Sequence, residues 1–393
     1  MRRCRGRLAS LPELGIYLHF PWCRKLCPYC DFAVEVGEPP HDAYLAAILR
    51  ELDVRAPAFS GELVSIYFGG GTPSLWRPEC LGAAIDAIRA RFASASRAAS
   101  IGPSIGPSIE VTIEANPTDC TDENLAAWRA AGITRVSIGV QSLEPRELVV
   151  LGRDHRFGDG RAAVERTLAA GLRTSADFIL GTPAGTPGGT GVATLGADHL
   201  SVYELTIEDR TAFGKRVRDG RLVPLDEERL TELYVATHEM LVAAGYEHYE
   251  ISSYARPGRR AVHNSLYWRG APYLGLGVGA ASLEVRADGS GVRSTNPRKA
   301  AAYLAAPGVP AERNEISVQE MAVDRVWLGL RTSDGVLEAD LAPARGLADV
   351  LVAEGLADRR GGRICPTLRG FLMADRIAAR VVQTWDDETE TAL

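Results

Sequence analysis

The chain has 393 residues, of which 46% are hydrophobic and 24% charged, with a formal net charge of −6. That is ample apolar material for two domains, or for one large α/β domain with an appendage, and the acidic balance gives no electrostatic footprint for nucleic acid. No apolar run reaches the roughly 18–20 residues of a membrane-spanning helix, and the basic Met1–Ser10 segment lacks the apolar stretch of a signal peptide, so a cytoplasmic protein with reduced thiols is expected.

Short β-branched runs predict strands over Leu14–Phe20, Leu63–Phe68, Ile109–Glu114, Thr134–Val140, Arg173–Leu180 and His199–Leu205. Amphipathic stretches between them predict helices over Asp42–Arg55, Pro78–Ala93, Asp122–Ala131, Pro145–Leu151, Asp159–Ala170 and Asp226–Ala244. Strands alternating with helices imply right-handed βαβ units and a parallel sheet. Six such units curl into an α/β fold, a partial (β/α)6 barrel, with its chemistry on the loops at the C-terminal strand ends. The tandem Ile101–Ser108 repeat reads as a loop insertion. Gly181–Gly191 is rich in Gly, Thr and Pro where a crossover helix is expected, so that helix should be short or missing. The rhythm changes after about residue 300. The tail reads as a small helical module with a wing-like hairpin over Gly355–Pro366. The expected segments are a tail (1–11), the barrel (12–255), an α/β extension (256–310) and a C-terminal winged-helix-like module (311–393).

Directly after the first strand comes Cys23-Arg-Lys-Leu-Cys27-Pro-Tyr-Cys30. Three thiolates in eight residues can hold one face of an iron–sulfur cubane and leave one iron open. A zinc knuckle would need a fourth ligand, for which His19 is poorly directed along its strand. Cys4, Cys80, Cys120 and Cys365 suggest no role.

The Cys-x3-Cys-x2-Cys loop resembles that of the radical S-adenosylmethionine (SAM) superfamily. The flanks Gly15-Ile-Tyr-Leu-His-Phe-Pro and Tyr29-Cys-Asp-Phe32 resemble the oxygen-independent coproporphyrinogen III oxidases and their relatives. The resemblance implies a [4Fe-4S] cluster on Cys23, Cys27 and Cys30. SAM would sit on the fourth iron, and reduction by an electron donor would release a 5′-deoxyadenosyl radical. It further implies a SAM pocket at the strand ends. Gly70, Gly71 and Thr72 would hold the methionyl amine. Glu114 would accept from an amine or ribose, and Gln141 would offer its amide to the ribose. Arg153 would meet the carboxylate, Asp177 would bind the ribose, and Tyr17 matches a family tyrosine. Taken singly, Gln141 or Asp177 could be strand-end caps and Arg153 a surface ion pair.

Two features separate the branches of this family. The oxidases carry a fourth cysteine two residues past the third, where this chain has Phe32, and a longer segment before the first strand. Both point to the HemW-type heme chaperones. His263-Asn-Ser-Leu-Tyr-Trp268 matches that branch's His-Asn-x-x-Tyr-Trp signature. His263 is therefore a candidate axial heme ligand, against the alternative that it merely fixes a turn. His155, His199 and His248 are more plainly structural. Arg256, Arg259, Arg260 and Arg269 flank the motif and could meet heme or porphyrin carboxylates. The resemblance thus implies a chaperone that binds the cluster, SAM and heme and passes heme to acceptor hemoproteins, and it leaves oligomerisation open. An oxidative decarboxylase of coproporphyrinogen III and a radical SAM enzyme on another substrate remain the alternatives.

Overall fold

The computed structural model describes residues 11–93, 109–183, 191–344 and 346–391. The six parallel strands of the core are β1 (Glu13–Phe20), β2 (Glu62–Gly70), β3 (Glu110–Ala115), β4 (Arg135–Gln141), β5 (Arg173–Leu180) and β6 (His199–Glu204). Each falls within two residues of its expected limits. They are buried on both faces, which is why they read as β-branched runs. The intervening helices are α1 (His41–Arg55), α2 (Pro78–Arg91), α3 (Asp122–Ala130), α4 (Pro145–Val150) and α5 (Asp159–Ala169). On α1 the buried positions Tyr44, Ala47, Ile48, Glu51 and Leu52 form one stripe against the sheet.

The sheet extends beyond those six strands on both sides. After α6 (Ala212–Arg218) and α7 (Glu227–Ala243), the antiparallel strands β7 (Glu247–Glu250) and β8 (Ser253–Ala255) join at β6. The chain then crosses the barrel through α8 (Val262–Trp268) and lays β9 (Tyr273–Gly277) parallel to β1, with Gly15 opposite Tyr273 and Leu18 opposite Leu276. This seventh parallel strand was not anticipated. Antiparallel β10 (Ala281–Val285), β11 (Gly291–Thr295) and β12 (Glu312–Ile316) follow it, giving a 12-stranded sheet that runs past residue 310. Glu51 fastens this extension to the barrel. Its fully buried carboxylate accepts from Gly277 N–H at 2.8 Å and from Asn296 Nδ2 and the Tyr303 hydroxyl at 2.7 Å each. Tyr303 lies on α9 (Ala300–Ala305).

The described part of the crossover between β5 and β6 is a single 3-10 turn, Val192–Leu195; residues 184–190 of the Gly/Pro segment, Cys4 and the Ile101–Ser108 repeat lie outside the described residues. Helix α7 packs against β5 there, with Thr237 lining a small cavity together with Leu180, Val192 and Val202 and Leu241 joining the main core.

A second core, including Val326, Leu330, Leu351, Ile364, Val381 and Trp385, holds the C-terminal elements. These are α10 (Val318–Gly329), β13 (Val336–Leu337), α11 (Leu347–Ala353), β14 (Ala357–Arg360), β15 (Arg363–Pro366), α12 (Leu368–Leu372) and α13 (Ala374–Thr391). Strands β14 and β15 form the expected hairpin, turning on Gly361 (φ 57°) and Gly362 (φ 76°). Two consecutive left-handed residues make the type I′ turn that suits strand twist, and glycine adopts it without strain. Among the described residues no helix is long and apolar enough to cross a membrane.

Candidate cofactor site

Cys23, Cys27 and Cys30 lie on the loop leaving β1, all as free thiols. Neighbours fix two of them. Thr72 Oγ1 donates to Cys23 Sγ at 3.4 Å, and the Arg153 guanidinium donates to Cys27 Sγ at 3.5 Å. Burial pushes the Cys23 and Cys30 thiols up, so ionising them requires positive charge close by. Arg153 supplies one such charge. Its other amine reaches Asn116 Oδ1 at 2.6 Å and Gly139 O at 3.2 Å, and its buried Nε has no partner among the described residues. A zinc site on this loop has no fourth ligand in His19. Both of its ring nitrogens are engaged, Nδ1 with the Tyr17 hydroxyl at 3.0 Å and Nε2 with Ala33 O at 2.8 Å.

The three cysteines open onto a cavity of about 580 Å3, a size suited to a small-molecule cofactor. Gly70, Gly71, Thr72, Glu114, Gln141, Arg153 and Asp177 line it together with them, from the ends of consecutive parallel strands and the loops that follow. The glycines, however, are dictated by the protein's own packing. A Cβ on Gly70 (φ 113°) would lie 2.6 Å from the His19 ring, and one on Gly71 would lie 2.7 Å from Pro21 O. Glu114 accepts from the Tyr67 hydroxyl at 2.8 Å and from Gly70 N–H at 3.0 Å, and burial pushes its carboxyl up to about 7. Asp177 accepts from Ser137 Oγ at 2.9 Å, and burial raises it too. Tyr17 stands apart from these. It lines an adjoining cavity of about 340 Å3 with Tyr267 and Tyr273, and this cavity shares Phe32, Gly70, Glu114 and Arg298 with the larger one.

Gln141 is the one non-glycine residue with positive φ (65°) among the described residues. Such strain is stored where side-chain direction matters. Gln141→Val is expected to cost roughly 1–3 kcal/mol, because a β-branched residue tolerates this conformation poorly. Gln141→Gly should spare the fold and lose only the carboxamide. Urea denaturation of both variants checks this, and equal stability of the valine variant and wild type would remove the strain.

A family model of the radical SAM superfamily matches residues 17–187. The heme chaperone HemW of Mycobacterium tuberculosis (strain H37Rv) is 35% identical over 94% of this chain and 95% of its own length. HemW of Escherichia coli is also 35% identical, over 78% of this chain and 80% of its own. The chain belongs to the HemW family of the radical SAM superfamily. The solved coproporphyrinogen III oxidase HemN of Escherichia coli, a radical SAM enzyme, shares the fold. Its TM-score is 0.75 at 22% identity, covering 96% of this chain and 91% of that one.

In this HemW-family chain the His-Asn-x-x-Tyr-Trp motif occupies α8, which packs against β1 and β2. His263 is 1% exposed. Its Nδ1 pairs with Ser65 Oγ at 2.8 Å and its Nε2 with the Tyr267 hydroxyl at 2.9 Å, while its ring stacks on Tyr67 at 5.1 Å. An axial ligand offers iron a free nitrogen, and in this arrangement His263 has none to offer without losing a partner. Burial lowers it to about 3, so it is neutral in the folded state. The unfolded chain therefore binds the extra proton between pH 3 and 6.5, and this group's contribution is complete above pH 6.5 and lost as pH falls. The stability difference between wild type and His263→Gln should accordingly shrink as pH drops from 7 to 4, by at most about 1.4 kcal/mol per unit. A constant difference in denaturation midpoints would show that His263 takes up its proton at the same pH folded and unfolded, so that burial does not keep it neutral. His199 and His155 are structural: His199 joins Ser175 and Tyr249, and His155 joins Val140 O.

The four flanking arginines do not face the cavity. Arg269 pairs with Glu13 at the start of β1, and the carbonyls of Arg259 and Arg260 accept from Arg173 at the start of β5. Arg256 lies over the Tyr246 ring, its guanidinium carbon 4.0 Å from the centroid. Their partners belong to the N-terminal strand ends, opposite the cysteine loop, because α8 enters the barrel from that end. Residues the sequence reading missed include Arg135, Asn264 and Arg298, all on the large cavity. For Arg135 a signal existed, since it shares the inward face of β4 with Ser137, Gly139 and Gln141 at period two.

Proposed function

We propose that this protein is a heme chaperone that carries a [4Fe-4S] cluster on Cys23, Cys27 and Cys30, binds SAM, and passes heme to acceptor hemoproteins. The carrying observation is that three free thiols share one cavity with polar groups from consecutive strand ends, in a chain matched nearly end to end by relatives named heme chaperones. When bound, such a cluster supplies reducing electrons from an external donor to SAM. The chain's own groups do the rest. Arg153 holds positive charge beside Cys27, ready for a ligand carboxylate. Gln141, Glu114 and Asp177 offer an amide and two buried carboxyls to amine and hydroxyl groups. Phe32, 70% exposed beside Cys30, supplies apolar surface at the mouth where the oxidases place a cysteine. Six free cysteines among the described residues suit the reducing cytoplasm.

The test is anaerobic. The reconstituted, reduced protein is incubated with SAM and either hemin or coproporphyrinogen III, following the Soret band and the porphyrin products. A stoichiometric heme complex that passes to an apo-hemoprotein, with no decarboxylation, is expected. Formation of protoporphyrinogen would make the protein an oxidase.

A further inference from the structure

From the closed end of the barrel to the cysteine end, Arg135, Ser137, Gly139 and Gln141 mark out one wall of the large cavity, a span of about 20 Å at strand rise. Helix α8 closes the lower end. Its first N–H groups, on Val262 and His263, donate to Glu110 Oε1 at 2.9 and 3.3 Å. At this floor Arg135 is 2% exposed and lines the cavity, yet its guanidinium makes no hydrogen bond and no ion pair within 4 Å to any described residue. The two acids closest to it in charge are committed elsewhere. Glu110 pairs with Arg173 at 2.8 Å, and Asp177 accepts from Ser137 and Ser175. Burial disfavours this charge and the Glu110 and Asp177 carboxylates offset that, but its N–H donors are left without a hydrogen-bond acceptor. Asn264, beside His263 on α8, also lines the cavity, and its carboxamide has no hydrogen bond to a described residue.

We propose that Arg135 and Asn264 form a carboxylate-binding subsite at the closed end of the barrel, occupied by a propionate arm of heme. A guanidinium receives a carboxylate through two parallel N–H bonds, and a carboxamide can add a third. One cation beneath the two acids Glu114 and Asp177 suits a monoanion and disfavours a phosphate. The identity of the ligand rests on the chaperone reading, whereas the subsite itself rests on the geometry of Arg135 and Asn264.

The test uses the full, cluster-loaded chain and two probes. With sodium propionate, the melting temperature of wild type rises, while the neutral isostere propionamide leaves it unchanged. Arg135→Gln abolishes the rise, Arg135→Lys keeps part of it, and Asn264→Ala weakens it several-fold. No rise in wild type, or an equal rise in Arg135→Gln, overturns the subsite. With hemin and its dimethyl ester, wild type binds hemin roughly tenfold or more tightly than the ester, the value of one charge-assisted pair. Arg135→Gln brings the two affinities together. If instead SAM affinity falls in Arg135→Gln and the hemin preference stays, the carboxylate is SAM's and the propionate assignment falls. If wild type answers propionate but binds neither heme form, the chaperone reading fails and the subsite stands. Should Arg135→Gln not fold, Arg135→Lys and the comparison of hemin with its ester on wild type decide the matter.

Discussion

Replacing Cys27 with alanine is expected to reduce the cluster's brown absorbance, and the bound iron and sulfide, to near background after anaerobic reconstitution. Cys27 is the middle of three thiols, and the one that receives the Arg153 guanidinium. With two thiolates left on the loop, an iron of the cubane loses its only protein ligand. The fold should hardly notice. Cys27 is partly exposed, and such substitutions usually cost within about 0.5 kcal/mol. Loss of cluster with an unchanged melting profile therefore separates ligation from folding. Cys120→Ala is the control, since that thiol is buried with its Sγ against Asn116 O. It should destabilise the chain and keep its iron. Full iron content in the Cys27 variant would move the cluster off this loop.

Glu51→Ala is expected to destabilise the chain strongly, by about 3–5 kcal/mol. The carboxylate is fully buried and accepts from Gly277 N–H, Asn296 Nδ2 and the Tyr303 hydroxyl, with Arg55 3.5 Å away. Removing it leaves those donors and a partly buried cation unsatisfied at the join between α1, β9 and α9. Glu51→Gln should lose less, because its carbonyl still accepts while its amide meets a donor. Guanidinium denaturation of the three proteins measures the difference. A loss below about 1 kcal/mol for alanine would mean that water satisfies the site.

The parallel core was legible because each of its strands is a local event: an apolar run bracketed by Gly, Pro or Asn. The cysteine loop was legible for the same reason, three ligands lying within one turn of chain. Strand β9 was not. Tyr273-Leu-Gly-Leu-Gly is apolar, but its place beside β1 depends on α8 crossing the barrel, which no local pattern encodes. The same crossing turned the arginines around His263 away from the cavity and drove the histidine between Tyr67 and Tyr267. Arg135 escaped notice because an arginine at a strand start normally faces solvent; only the closed barrel end makes its position internal. Residues 184–190 of the Gly/Pro segment after β5 lie outside the described residues, while the cover that α7 provides comes from residues some distance downstream.

The position of β9 also sets a timetable for synthesis. Strand β1, which delivers the cysteine loop, can pair with β2 on one side once Glu62–Gly70 has left the ribosome but gains its other neighbour only when Tyr273–Gly277 has done so. At about 5–20 residues per second, the interval from Phe20 to Tyr273 takes roughly 10–50 s. Throughout it one edge of β1 offers unpaired N–H and C=O groups to any passing strand. A chain ending at Ala255 would carry that open edge permanently and should aggregate, whereas one ending at Ile316 should not. Iron–sulfur insertion on a half-paired strand would fix the loop before its walls exist, so maturation of this protein is expected to follow release of the chain.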